Sequence, residues 1–365
     1  MALDPRIPYN ELPILPLTAD LETVRVLKKL ASARAALGEL KGIVKLIPNQ
    51  TILLNTLILE EARDSSEIEN IFTTRDKMYK ALALSAGNVD APTKEVLRYR
   101  ESLWRGFNAV TRSRKLTTAM IVQMQESLVE KNAGIRTKPG TYIGNPATGE
   151  VIYTPPDGKE RIEALLKNLE EYMGAADSTD PLVKLALIHY QFEAIHPFYD
   201  GNGRTGRIVN VLYLILQGLL ELPILYLSSY IINHKARYYT LLRSVTTEGS
   251  WEEWILYMLD ATEQTAYETI GNVNKIKTLL QATIEKVRAR APKIYSKELV
   301  ELLFHQPYTK IGYLVDNGIV ARKAAGLYLR ELERIRVLRS IRIGKEVIFL
   351  NVELFNLFSK KAHKS

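Results

Sequence analysis

His196 to Arg207, HPFYDGNGRTGR, is the stretch on which the reading of this chain turns. Gly201 and Gly203 bracket Asn202 just before a helix expected to start near Arg204. Several backbone N–H groups and the positive end of a helix dipole therefore converge on one spot, which suits an anion. Arg204 and Arg207 lie three apart and share a helix face, where their guanidinium forks suit phosphate oxygens better than lysine would. With Thr205 and Gly206 between them, the candidate nucleotide-binding set runs unbroken from Gly201 to Arg207. Asp200, immediately before the glycines, is a hard oxygen ligand placed to bind Mg²⁺ against the same phosphates. His196, four residues earlier, titrates near neutrality and is the natural base for a hydroxyl attacking phosphorus in line. Phe198 reads as an anchor in the core, and Pro197 as a stiffener of the approach.

A lone Gly-Asn-Gly turn or a lone histidine is ordinary at a helix start. Base, metal ligand, anion nest and two arginines within twelve residues form a more specific set, and a P-loop is excluded because no Gly-Lys-Ser/Thr run is present. Spacing alone leaves open which phosphorus of a nucleotide is attacked.

The stretch matches in full the HxFx(D/E)GNGRxxR signature, and on it the chain resembles the Fic family of protein adenylyltransferases. That resemblance implies ATP as co-substrate with Mg²⁺ on Asp200, and His196 deprotonating a Ser, Thr or Tyr hydroxyl of a target protein or of the chain itself. It further implies phosphate held by the Gly201 to Gly203 loop, β and γ phosphates gripped by Arg204 and Arg207, attack at the α phosphorus, and pyrophosphate leaving. A few family members move phosphocholine or phosphate instead. Asn233, Tyr238 and Tyr239 fall where relatives complete the adenosine pocket, with Tyr239 as the candidate contact. The segment 132–156, rich in turn formers (Pro139, Gly140, Asn145, Pro146, Gly149) around a β-rich run Val151 to Tyr153, resembles the family flap that holds a target segment by strand pairing.

Upstream, Ser65 to Asn70 reads SSEIEN and matches the (S/T)xxxE(G/N) motif of the family's inhibitory helix. Ser65 and Glu69 are one helical turn apart, and Asn70 suits the left-handed residue that ends a helix. A carboxylate in a last turn opposes the helix dipole and gains from a cation. The resemblance implies Arg207 as that cation, with Glu69 occupying part of the γ-phosphate site. A glutamate so placed positions water in some relatives, which leaves AMP removal as a second activity.

Working outward, the expected fold class is mainly α: a Fic helical-bundle core with a small β-hairpin flap, followed by a C-terminal winged helix-turn-helix. Helix-like spacing starts near Asp20, placed as a cap, and ends near Gly42. Further helices are expected from about 50 into the acidic stretch, at 93–112, 117–131, 159–175 and 181–194, and over a long run from about 250 to 290. The apolar run Ile208 to Leu227 has the length of a membrane span, but Asn210, Gln217, Glu221 and Pro223 interrupt it, so it reads as a buried core helix. Expected domains are 1–92, holding the inhibitory helix, 93–290, the catalytic core, and 291–365, the winged-helix unit.

In that last unit, Ala321 to Lys345 carries eight Lys or Arg against Glu331 and Glu333. Two helices, at 309–316 and 321–335, precede two strands turning at Gly344, and the second helix would be the one to read DNA. Its basic residues are expected to surround the helix in part, which favours dimerisation or substrate docking over DNA.

The chain has 365 residues, 46% of them hydrophobic, enough for more than one packed core. Its net charge of +8 favours polyanions without choosing among nucleotides, nucleic acid and acidic proteins. Zero cysteines exclude disulfides, thiolate metal sites and cysteine nucleophiles. The N-terminus lacks the pattern of a secretory signal, and the expectation is a cytoplasmic protein without a membrane segment, with a homodimer open. A second reading, a nucleotide-sensing DNA-binding regulator, also remains open from sequence.

Overall fold

Thr23 opens the first helix by accepting a hydrogen bond from the Val26 N–H, and α1 (Val24–Val44) runs from there. Asp20, expected as the cap, instead closes a local turn by accepting from the Glu22 N–H at 3.2 Å, so the helix begins three residues later than its charge pattern suggests. In this computed structural model, residues 4–47, 49–84, 89–130, 134–144 and 148–359 are described. Helix α2 (Thr51–Ile68) follows, then α3 (Arg75–Ala83) capped by Thr74, which the sequence reading passed over. Helix α4 (Ala91–Ser113) is capped by Asp90 with Pro92 in its first turn, and α5 (Thr118–Val129) by Thr117.

Two short strands, β1 (Ile143–Gly144) and β2 (Val151–Tyr153), pair antiparallel with Ile143 opposite Tyr153. This is the expected hairpin; Asn132, Asn145 and Pro146 of that expectation lie outside the described residues. Helices α6 (Lys159–Gly174), α7 (Pro181–Ile195) and α8 (Asn202–Leu216) come next. Both α7 and α8 are buried on every side, as their lack of a polar face requires. The apolar run from Ile208 is not one helix. Gly218, at φ +66°, ends it just past Leu216, Pro223 follows in the connection, and a new helix α9 (Leu227–Asn233) starts at Leu227. Among the described residues, no helix is long and apolar enough to cross a membrane.

Helix α10 (Lys235–Glu248) leads into α11 (Trp251–Arg290), forty residues long. It packs along α1, where Arg25 pairs with Glu252 and Glu253, and Lys29 with Asp260 and Glu263. Further on, α11 carries the C-terminal unit: α12 (Lys297–Leu302), β3 (Tyr308–Thr309), α13 (Ile311–Asp316), α14 (Arg322–Arg334), β4 (Arg339–Ile343), β5 (Glu346–Leu350) and α15 (Val352–Ser359). The sheet order β3–β5–β4 and the α13–turn–α14 pair give the winged helix-turn-helix arrangement that the sequence leads one to expect. Tyr308 and Tyr313 fasten this unit to α3 by donating hydroxyl hydrogen bonds to the Asp76 carboxylate and the Leu82 carbonyl.

Candidate active site

Helix α7 ends at Ile195, and His196 takes the left-handed conformation, φ +48°, that turns the chain out of the helix. A non-glycine residue there costs backbone strain and persists only when its surroundings fix it. Here they do. Arg136, itself buried, donates through Nε to the His196 carbonyl at 2.8 Å and through its terminal nitrogen to the Ile195 carbonyl at 3.2 Å, and also to the Pro156 carbonyl. Its own N–H donates to the Pro197 carbonyl. Phe198 is fully buried against Phe192, which anchors the loop as expected. The Asn202 amide brackets the Phe198 backbone, accepting from its N–H and donating to its carbonyl, both at 2.8 Å. Asn202, expected to contact nucleotide, thus has its side chain committed to shaping the loop. Gly201 sits at φ +77°, a conformation that asks for glycine.

Burial first, then the neighbouring Arg136 charge, push the His196 imidazole down to about 4. It is therefore neutral at physiological pH, the form a general base needs. Among the described residues its buried Nδ1 has no hydrogen bond of normal geometry, although the Glu193 backbone favours the charged form.

Helix α8 starts at Asn202, two residues before the expected point, so its free first-turn N–H groups lie beside the Gly201 turn. Arg204 and Arg207 are both buried, and both are engaged by the end of α2. Glu69 spreads its carboxylate between them, Oε2 accepting from Arg204 Nε at 2.7 Å and Oε1 from Arg207 at 2.9 Å. Ser65 completes the hold on Arg207 through its hydroxyl oxygen at 2.7 Å and its carbonyl at 2.8 Å. Asn70 takes φ +63° and ends the helix there, and Lys235 donates to the Ile68 carbonyl at 2.7 Å. The negative pole of α2 therefore faces the positive pole of α8.

Sequence reasoning named Arg207 as the partner of Glu69 and did not foresee Arg204. It also missed Glu95, which pairs with Arg204 at 2.8 Å from α4, and Glu193, one turn before the loop. Burial pushes Glu193 up to about 7 against the pull of the Arg207 charge. Although burial opposes its charged form, Arg207 is held firmly protonated by Glu69 and Glu193. No motif marks Glu95 or Arg136; the latter lies sixty residues from the histidine whose carbonyl it binds.

Glycine has packing reasons at two positions. A Cβ at Gly203 would stand 2.7 Å from Glu69 Oε1 and 2.9 Å from an Arg207 nitrogen, so this glycine makes room for the ion pair. A Cβ at Gly206 would stand 2.6 Å from Glu193 Oε1 and 2.9 Å from the Phe192 ring. Gly206 thus packs against Phe192 and Glu193 of α7, and Thr205 is fully buried.

In the expected adenosine region, Tyr238 is core, its hydroxyl bonded to His189 Nε2 at 2.9 Å, and Asn233 donates to the Ser229 carbonyl within α9. Tyr239 alone presents an open face, 46% exposed and edge-on to Tyr238. On the other side, the exposed Tyr199 hydroxyl accepts the N–H groups of Thr137 and Lys138 at 3.0 Å, tying the segment that leads into the β1–β2 hairpin to the loop. Tyr153 of β2 donates to the Ala194 carbonyl.

The Asp200 carboxylate is largely exposed and, among the described residues, pairs with Arg204 at 3.4 Å. Among the described residues no cluster of three or more His, Asp or Glu is poised for a metal. One exposed hard carboxylate beside the helix start nevertheless fits Mg²⁺, which keeps several waters and takes its other ligands from substrate phosphates.

Three family models match the chain: the Fic/DOC family N-terminal at residues 27–108, the Fic/DOC family at 115–214, and the C-terminal domain of SoFic-like protein adenylyltransferases at 279–354. Similar curated proteins include a protein adenylyltransferase Fic of Culex quinquefasciatus, 31% identical over 112 residues, 30% of this chain and 21% of that protein. A probable protein adenylyltransferase of Aquifex aeolicus is 27% identical over 172 residues, 46% of this chain and 51% of that protein. The matched stretch thus spans about half or less of these relatives. Among solved structures, a Fic family protein from Desulfovibrio desulfuricans superposes with a TM-score of 0.57 at 18% identity, over 92% of this chain and 97% of that one. Fic-1 from C. elegans does so with a TM-score of 0.51 at 19% identity, over 68% and 73%. These likenesses concern the fold.

Proposed function

We propose that this chain, which belongs to the Fic/DOC family, transfers AMP from ATP to hydroxyl groups of target proteins and is restrained by its own α2 helix. The observation that carries the reading is the single Glu69 carboxylate bridging Arg204 and Arg207, the two cations best placed for a polyphosphate.

In the step itself the target hydroxyl oxygen forms a bond to the α phosphorus, and the bond from that phosphorus to the bridging oxygen of pyrophosphate breaks. His196, held neutral, takes the hydroxyl proton. The first-turn amides of α8 and the Gly201 turn orient the phosphates, and Tyr239 offers an aromatic face for the adenine. Mg²⁺, when bound by Asp200, neutralises phosphate charge. With Glu69 in place, the γ-phosphate position is taken by a carboxylate, and ATP settles in a pose unsuited to in-line attack.

The test compares wild type, Glu69→Gly, His196→Ala and the double variant with α-labelled and then γ-labelled ATP, reading covalent label on the chain and on proteins of a lysate. The reading expects α label alone, strongest in Glu69→Gly and lost in both variants lacking His196. Covalent γ label, or equal labelling by Glu69→Gly and wild type, would overturn it.

A further inference from the structure

We infer that the outward face of α14 and the β4–β5 hairpin form a docking surface for duplex DNA. The sequence suggests basic residues that partly surround the helix; Arg322 does stand about 100° away from Lys323, but the other basic residues of α14 share one side. Ala325, Leu329 and Leu332 are fully buried and define the inner face of α14. At 100° per residue, Lys323, Leu327, Arg330 and Arg334 then fall within an arc of roughly 60° on the opposite side. Leu327, 60% exposed, confirms that this side is open.

The acidic residues that dilute the local charge are occupied elsewhere. Glu331 accepts two hydrogen bonds from Arg334, at 2.6 and 2.8 Å, and Glu333 accepts the Ser340 N–H at 2.7 Å, fastening the base of the hairpin to the end of α14. Arg322, Lys323, Arg330, Arg339, Arg342 and Lys345 are exposed and, among the described residues, none is in an ion pair. Charges on the edge strand β4 would also keep it from pairing with another sheet, which accounts for Arg339 and Arg342 alone. It does not account for Lys323 and Arg330, which lie on a helix and flank an exposed leucine.

A row of cations around an apolar side chain on a projecting helix has a natural counterpart. The major groove of B-form DNA admits a helix, lines it with phosphates and offers thymine methyl groups to an apolar contact. The deep, narrow groove of A-form RNA does not admit one. The hairpin, carrying Arg342 and Lys345, adds the flanking phosphate contacts. The inference is independent of the transfer chemistry and of Glu69.

The test uses the full chain and a fluorescent mixed-sequence DNA duplex of about 20 base pairs, long enough to seat one such helix with flanking contacts, titrated between about 50 and 200 mM salt. Binding is expected to weaken steeply, with log K against log salt sloping at about −4 or more, since each neutralised phosphate contributes about −0.9. Lys323→Glu with Arg330→Glu should lower affinity at least about ten-fold and flatten the slope by about 2. Arg342→Glu with Lys345→Glu should do the same to a smaller extent. The control, Lys28→Glu with Lys167→Glu, makes the same charge change on the exposed faces of α1 and α6 and should leave affinity within about two-fold if docking is local. Melting curves matched to wild type establish that each variant is folded. Equal weakening by the control pair, no duplex binding at the lowest salt, or competition by double-stranded RNA or an acidic polypeptide as good as by DNA would each overturn the inference.

Discussion

The N-terminal end of α8 and the C-terminal end of α2 meet as opposite poles, yet they are built to different standards. Around the first, the Gly201 turn, the buried Phe198, the Asn202 clamp and the Arg136 hydrogen bonds to two consecutive carbonyls each fix the loop independently. At the second, the contact with the site depends on Ser65 and one glutamate. A loop fixed four ways keeps its geometry whatever occupies it, which is what preorganised catalysis needs. At the end of α2 only Glu69 reaches both arginines, so displacing that one carboxylate frees Arg204 from α2 and leaves Arg207 to Ser65. On the proposed function, the contrast is between a permanent site and a removable occupant.

The comparison breaks most severely where the permanent side loses its chemistry. Replacing His196 by Ala in the Glu69→Gly background removes the base and leaves the phosphate nest intact. Transfer of α label should fall by about 10²- to 10⁴-fold or more while ATP still binds. Retained transfer together with retained binding would assign the base elsewhere.

The removable side should give a smaller effect of opposite sign. A charge-assisted hydrogen bond to Glu69 contributes about 1.5–3 kcal/mol, and about 1.4 kcal/mol is a factor of ten, so Glu69→Gly should raise labelling by about 10- to 100-fold if the loss of one such bond sets the gain. Breaking a buried pair usually costs about 3–5 kcal/mol of stability. Glu193 is placed to offset part of this, because Glu69 is one of the charges holding it near 7; once Glu69 is gone, Glu193 ionises more readily beside Arg207. The melting temperature of Glu69→Gly should consequently fall further at pH 6 than at pH 8, a difference read by thermal denaturation and absent in Glu69→Gly with Glu193→Gln.

Gly203 sharpens the same boundary from the other side. An added methyl would meet Glu69 Oε1 at 2.7 Å and the Arg207 guanidinium at 2.9 Å, so Gly203→Ala must displace one of them. In the otherwise wild-type chain it should raise labelling by less than about ten-fold, because loosening the ion pair is opposed by crowding of the arginine. In Glu69→Gly it should only lower labelling. That reversal of sign in a double-mutant cycle separates relief of a block from damage to the site.

The two ends also differ in how far they could be read in advance. His196, Asp200 and the arginines are legible because their chemistry is packed into twelve consecutive residues, and Ser65 to Asn70 because one helical turn brings its members together. The long helices were legible from period and caps, with shifts such as Thr23 for Asp20, but the short α3 was not, and the apolar run from Ile208 reads as one helix although Gly218 and Pro223 divide it. The motif gives no sign that Gly206 packs against Phe192 and Glu193 or that Thr205 is fully buried; three-dimensional packing reveals both. Arg136 and Glu95 were invisible for a simpler reason. Their roles arise from long-range contact, through a carbonyl in one case and a second carboxylate in the other, and neither leaves a periodic or local trace.

Arg136 offers the finest test, since it supports the permanent site without touching substrate. It fixes the left-handed turn at His196 and, after burial, is the charge that keeps the imidazole down at about 4. A base with so low a pKa stays neutral as pH falls, so transfer by Glu69→Gly should be flat from about pH 8 to 6 and decline only below about pH 5. Arg136→Gln keeps a donor for the carbonyls and removes the charge. The histidine should then protonate at higher pH, moving the acid limb upward by about one unit, toward the ordinary value of 6.5. At pH 7.5 the change in rate should stay within a few-fold, because the base remains neutral there. An acid limb that stays in place while the whole profile drops uniformly would mean that Arg136 acts through backbone geometry alone.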